Sequence, residues 1–245
     1  MNDLRDGYDS VLRICKCLTA CIALLQAGEC CAGDGHTIFW PDGFNARVQA
    51  LALLQTLNVD LLTHNSATLT LERWCDAHKL ASPAIVVAEP VRNVDKAPTD
   101  EVRHLLNVDA TAVVRYRRVR LHCGEHTLSE ADNWYVPARL TPDINRSLDT
   151  TDTAFGRAVQ TLHFRRQTLS AKLLWSPLPE GWEMGAPVPG IGTGTLPIPY
   201  HVIEHRAVLS LPDGTPISVV VEAYTGELLA PLKPRSCALP GSPPR

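Results

Sequence analysis

Residues 115–121, Arg115-Tyr-Arg117-Arg118-Val119-Arg120-Leu121, carry four arginines on one stretch that reads as a β-strand. On a strand, Arg115, Arg117, Val119 and Leu121 share one face. A face that mixes arginine with valine and leucine implies a partly buried guanidinium. Such a group needs a carboxylate partner, from the protein or from a ligand. The alternative is a solvated strand edge with arginines spread for solubility. Glu222 poses the same question, because Val219-Val-Val-Glu222-Ala-Tyr224 sets a carboxylate into an apolar strand. It is either one half of a structural salt bridge or an acid that faces a ligand.

Other reactive patterns carry less. His201-Val-Ile-Glu204-His205 has the spacing of an inverted zinc-peptidase helix. However, it follows Leu196-Pro-Ile-Pro199 and leads into an alternating run, which predicts a strand. Two histidines four residues apart on a strand face stand roughly 13 Å apart, too far to share a metal. No metal site is expected. Pro189-Gly-Ile-Gly-Thr-Gly194 is glycine-rich but lacks the strand and helix that a phosphate loop needs. No GxSxG is present. Cys75 or Cys123 paired with a histidine could act as a nucleophile, but each reads better as an inert buried thiol. Of the eight cysteines, five (Cys15, Cys17, Cys21, Cys30, Cys31) lie in the first 31 residues. The three others, Cys75, Cys123 and Cys237, are too widely spaced to suggest a disulfide framework, and no CxxC pair exists for zinc or redox chemistry.

These residues need a scaffold. Asp42 is placed to cap a helix with apolar positions Phe44, Val48, Leu51 and Leu54. A second helix starts at Asn65-Ser66-Ala67-Thr68 and runs to about Lys79. Residues 83–91 read as a strand and 99–106 as a short helix. Strand-like runs 111–122 and 127–137 meet at Cys123-Gly124-Glu125, a hairpin signature. Helical patterns follow near 141–148 and 154–162. Strands are predicted at 164–175, 201–211 and 216–224, the last two joined by the turn Pro212-Asp213-Gly214. Hairpins imply antiparallel neighbours, and the helices do not follow every strand. The fold class is therefore α+β, an antiparallel sheet with helices packed on one side. Residues 176–199 read as a long binding loop or lid.

Of the 245 residues, 45% are hydrophobic and 20% charged, enough apolar material for a core and against disorder as the main state. Twenty-three Lys+Arg against 26 Asp+Glu give a net charge of −3, unlike the basic footprint of a nucleic-acid binder. Residues 17–28 have the length of a signal-peptide core and are too short to span a bilayer. Arg13 and Lys16 precede them, and Cys30-Cys31-Ala32 offers small residues for cleavage. Asp3, Asp6 and Asp9 spoil the basic start, unless translation begins at Val11. A buried or oligomerising N-terminal helix is the alternative. The expected organisation is a secretion leader over 1–35, one domain over 36–230, and a disordered proline-rich tail over 231–245. The mature chain would be a periplasmic or secreted monomer without a membrane span, or cytoplasmic if the leader does not function.

From residue 42 to about 230, the order of motifs resembles the chorismate lyase family and the related ligand-binding domains of some transcriptional regulators. Asn65-Ser66-Ala67-Thr68 is similar to the family's D-S-x-T segment, and Arg117-Arg118-Val119-Arg120-Leu121 to its R-E-x-L-L strand. Ala131 to Pro137 resembles the returning strand that ends in V-P. Thr153-Ala-Phe-Gly-Arg157 resembles T-P-L-G-R, the most specific match. Asp213-Gly-Thr-Pro216 leading to Val221-Glu222 resembles the G-x-P…T-E ending. The resemblance implies a six-stranded antiparallel sheet with helices around a buried pocket for a small aromatic carboxylate. It implies that Arg117 grips the carboxylate, with Arg118 as the choice if the register slips by one. It implies that the backbone amides of Ala67 and Phe155 assist, and that Glu222 meets the hydroxyl end of the ring. The family's activity eliminates pyruvate from chorismate to leave 4-hydroxybenzoate. Aromatisation drives that reaction, so no cofactor or metal is required. In it, Arg117 orients the ring and a desolvated Glu222 could donate a proton to the breaking C–O bond. The family's second arginine falls here at Asn133, and chorismate is a cytoplasmic metabolite that an exported protein would rarely meet. A lyase and a non-catalytic periplasmic binding protein for a small aromatic carboxylate are therefore the two readings.

Overall fold

The structure is a computed structural model that describes residues 40–188 and 194–230. The expected leader, the proline-rich tail and residues 189–193 of the glycine-rich segment lie outside the described residues.

Helix α1 spans Phe44–Thr63 and α2 spans Ala67–Ala77. Strand β1 is Val86–Pro90, and α3 is the short Asp100–Leu105, capped by the Thr99 hydroxyl. Strands β2 (Arg115–Cys123) and β3 (His126–Tyr135) form the first hairpin. Helices α4 (Pro142–Thr150) and α5 (Phe155–Ala158) follow. Strands β4 (Arg165–Leu173), β5 (His201–Ser210) and β6 (Pro216–Thr225) complete the chain of elements. The six strands form one sheet in the order β1-β2-β3-β6-β5-β4, and every pairing is antiparallel. Both tight turns use glycine at positive φ: Gly124 at 57° and Gly214 at 88°.

Period-2 alternation assigns the sheet faces. The inner face carries Arg117, Val119 and Leu121 of β2, Ala131 and Asn133 of β3, and Val220 and Glu222 of β6. α1 and α2 cover this face. Their Leu54, Leu57, Leu61 and Leu71 are fully buried against Leu121, Val220 and Tyr224 in one cluster. Each such leucine contributes about 1.5–3 kcal/mol by leaving water. This helix buries Ala46, Ala50, Leu54, Leu57 and Leu61, so of the expected positions Phe44, Val48, Leu51 and Leu54 only Leu54 is fully buried. Ala46 and Ala50 are small enough to lie flat against Trp40 and Leu196. Phe44 instead turns outward to Trp182 in the 176–199 loop, with ring centres 6.0 Å apart. The capping residue is Gly43, because the Asp42 carboxylate is taken by Arg47 at 2.7 Å.

Three further expectations are corrected. Helices do not cover one side only: Val102 and Leu106, in and after α3, pack on the outer face with Trp134, Val208 and Val219. Cys75 of α2 and Cys123 of β2 form a disulfide, with Cα atoms 6.6 Å apart and a sequence separation of 48. The spacing along the chain hid a pairing that the fold creates. His201 and His205 lie on a strand, but an irregularity between His201 and Ile203 puts them on opposite faces. His201 meets Glu130 on the outer face, at 3.6 Å, while His205 is fully buried with Nε2 2.8 Å from Asn58 Oδ1. No helix among the described residues is long and apolar enough to cross a membrane.

Candidate functional site

The inner sheet face and the first turns of α2 and α5 enclose a cavity of about 40 Å3, measured as the space open to the centre of a water-sized sphere. A single water needs roughly 10–15 Å3 on that measure, so the space exceeds what one water fills. Val119, Leu121, Ala131, Phe155, Phe164, Leu209 and Val220 make its apolar walls. Its charged lining is two arginines, Arg117 and Arg166, and one carboxylate, Glu222.

Arg117 comes from β2. Its Nη1 donates to Thr153 O at 3.2 Å, and its Nη2 is buried with no acceptor among the described residues. No carboxylate lies within ion-pair distance of it among them. Burial accordingly pushes its pKa below the ordinary arginine value. Arg115, on the same face, is taken by Asp149 at 2.9 Å. Arg118 does not reach the cavity. It points to the outer face, 3.4 Å from Glu130 and 3.8 Å from Asp132, as strand alternation demands.

Ser66 caps α2, its hydroxyl accepting from Leu69 N at 3.3 Å, and Ala67 and Thr68 form the first turn that lines the cavity. Phe155 and Gly156 of α5 line it from the other side. The two turns approach so closely that a Cβ on Gly156 would sit 2.9 Å from both Ser66 Oγ and Thr68 Oγ1. Arg157 fastens this junction by donating to Glu72 of α2, which also accepts from Val86 N at 3.1 Å. The first-turn amides of a helix have no intrahelical acceptor, so this corner offers donors to an anion.

The opposite end holds Glu222. Arg166 Nη2 donates to its Oε2 at 2.5 Å, and the Tyr224 hydroxyl donates to the same oxygen at 3.0 Å. The side chains of Arg166 and Glu222 are 3% and 9% exposed. Burial works against the charge on Arg166, but the Glu222 carboxylate and Tyr224 outweigh it and raise its pKa. Burial, then the neighbouring carboxylate, raises that of Tyr224. One oxygen of Glu222 therefore accepts from both a guanidinium and a phenol, an ion pair of the structural kind that the sequence left open. Sequence reasoning missed Arg166. Its only signal was an arginine at the start of a strand, and the β4–β5–β6 order that carries it to Glu222 was needed to see it. Asn133, where a second arginine was sought, is buried and accepts from the Ser218 hydroxyl. Among the described residues, no three His, Cys, Asp or Glu gather as a metal site would require.

No protein-family model matches the chain. Solved structures similar to it include the possible transcriptional regulator YydK from Bacillus subtilis, at 16% identity and a TM-score of 0.36, covering 58% of this chain and 59% of that one. PhnF from Mycobacterium smegmatis is similar at 15% identity and a TM-score of 0.44, over 68% of this chain and 66% of that one. The ligand-binding domain of a putative GntR-family transcriptional regulator from Bordetella bronchiseptica shares 12% identity, covering 58% of this chain and 83% of that one, with a TM-score of 0.37. The chain thus spans about three fifths of the first of these structures and about two thirds of the second. In sequence, it is 56% identical over 191 residues to the uncharacterized protein y4mC of Sinorhizobium fredii, across 78% of this chain and 81% of that protein. With that identity over that span, the chain belongs to the y4mC family.

Proposed function

We propose that the chain binds a small, planar, predominantly aromatic carboxylate in the cavity between the inner sheet face and the first turns of α2 and α5. One observation carries this reading. Arg117 is a half-buried guanidinium whose Nη2 is buried and unpartnered, with no carboxylate within ion-pair distance among the described residues. Burying an uncompensated cation is costly, and a ligand carboxylate would supply the missing partner. The amides of Ala67 and Phe155 would complete the grip. The apolar walls would take the ring.

The test is calorimetry and thermal unfolding of the full chain with 4-hydroxybenzoate. Binding is expected to raise the melting temperature, and Arg117→Ala to abolish the rise. No rise with 4-hydroxybenzoate or with unsubstituted benzoate would refute the reading.

A second reading, elimination of pyruvate from chorismate or a similar enol ether, draws on Glu222 lining the same cavity. Its obstacle is that both donors already fall on the carboxylate. Incubating the protein with chorismate and following pyruvate and 4-hydroxybenzoate together separates the readings. Equal appearance of both, lost in Arg117→Ala, would establish the lyase.

We further propose that the protein works outside the cytoplasm. The Cys75–Cys123 disulfide supports this, because such bonds persist in oxidising compartments. Deleting residues 1–35 should then keep a reporter fusion in the cytoplasm. Unchanged localisation would refute export.

A further inference from the structure

Helix α1 is apolar on two sides. One side carries the alanines and leucines buried against the sheet. The side turned away from the core carries Val48, Leu51, Gln55, Val59 and Leu62, spaced 3, 4, 4 and 3 residues apart and so aligned in one stripe. Val59 and Leu62 are 54% and 42% exposed, Gln55 is exposed, and Val48 and Leu51 are half-buried. Arg47 and Asp60 are the only charged residues of the helix, and neither lies in the stripe. A surface helix ordinarily sets charged side chains opposite its buried face, and a helix apolar all round is one that is buried all round. The sheet covers the first side of α1. The second side calls for a partner.

We infer that the outward stripe of α1 is an interface between two copies of this chain, packed antiparallel about a two-fold axis at Gln55, in place of the monomer expected from the sequence. The stripe reads the same in both directions. Leu51 and Val59 stand four places either side of Gln55, and Val48 and Leu62 stand seven. Two antiparallel copies therefore set Leu51 against Val59 and Val48 against Leu62, twice over. A two-fold interface requires this self-complementarity, because one patch must fit itself reversed. Charge fits as well. Arg47 falls opposite Thr63 and is already paired with Asp42, while Asp60 falls opposite Ala50, so no like charges meet. An amide both donates and accepts, so the two Gln55 side chains bond each other on the axis and fix the register. A lipid surface is the poorer occupant, because interfacial helices carry Lys or Arg along their polar face. The helix is about 30 Å long, so such a pair reaches the low end of specific interfaces, about 600 Å2 from each protomer, and associates reversibly. No residue of α1 lines the cavity, which makes this inference independent of the carboxylate reading.

The experiment is sedimentation velocity of the full chain from submicromolar to submillimolar concentration. The mass should rise reversibly from one chain to two. Val59→Glu and Leu51→Lys, each setting an unpaired charge in the stripe, should weaken association by at least about tenfold. Circular dichroism checks that both variants fold. Position 51 faces position 59 across the axis, so an equal mixture of the two variants should recover the dimer, each new charge meeting its opposite. The mass of a single chain at every concentration would overturn the inference, and this arm decides even if neither variant folds. A dimer that neither variant weakens would overturn it too, placing the contact elsewhere. Variants that stay apart when mixed would overturn the axis at Gln55. A single chain that floats with phosphatidylglycerol vesicles, and ceases to in Val59→Glu, would give the stripe to lipid instead.

Discussion

Arg117 and Arg118 are adjacent in sequence and differ in almost every physical respect. Arg118 is half-exposed between Glu130 and Asp132, a screened pair of the kind worth about 0–1 kcal/mol. Arg117 is half-buried, with no carboxylate partner and an unpartnered Nη2 among the described residues. Arg118→Ala should leave binding of aromatic carboxylates within about twofold. Arg117→Ala should weaken it by about 100-fold, since a charge-assisted bidentate pair contributes roughly 3 kcal/mol. Arg117→Lys should recover only part of this, because an ammonium cannot present the planar fork. Equal losses from the Arg117→Ala and Arg118→Ala variants in calorimetry would contradict the assignment.

The cavity depends on two short helical turns that almost touch. At Gly156 an added Cβ meets the Ser66 and Thr68 hydroxyls at 2.9 Å, closer than such contacts allow. Gly156→Ala should therefore destabilise the protein by about 1–3 kcal/mol in urea unfolding and weaken ligand binding at the same time. Unchanged affinity would show that the turns can separate without cost. The sequence made much of this level legible. The alternation of β2 and β6, the Gly124 and Asp213-Gly214 turns and the Ser66 cap all act locally, and local patterns report them. What is non-local stayed hidden. The Cys75–Cys123 bond, the Arg166–Glu222 pair and the irregularity after His201 each depend on which strands become neighbours. Arg117 and Glu222 were legible as residues out of place in apolar strands, but not the fact that Glu222 already has a cation.

Two features set the stability of the molecule as a whole. The disulfide closes 48 residues and ties α2 to β2, which in the chain-entropy model contributes about 4 kcal/mol. Cys75→Ala/Cys123→Ala should lower unfolding free energy by about 2–4 kcal/mol, and added reductant should reproduce the loss in the parent protein. His205 supplies the pH dependence. Burial lowers its pKa to about 4 from 6.5. Below pH 6.5, the unfolded chain takes up a proton that the folded chain refuses. Stability is therefore lost as pH falls from 6.5 toward 4, by about 2 kcal/mol at pH 5 from this group. Denaturant titrations of the parent and His205→Gln should show the variant losing less over that window. Parallel slopes would rule His205 out as the source.

The strand order divides the sheet into two three-stranded halves, β1-β2-β3 and β6-β5-β4, joined only along the β3–β6 ladder from Ser129↔Tyr224 to Tyr135↔Ser218. Arg117 belongs to the first half, Arg166 and Glu222 to the second. A molecule held at both ends of the cavity would staple the halves together across that join. Ligand occupancy should then slow amide hydrogen exchange along β3 and β6 more than in the two outer strands, turning a binding event into a mechanical one.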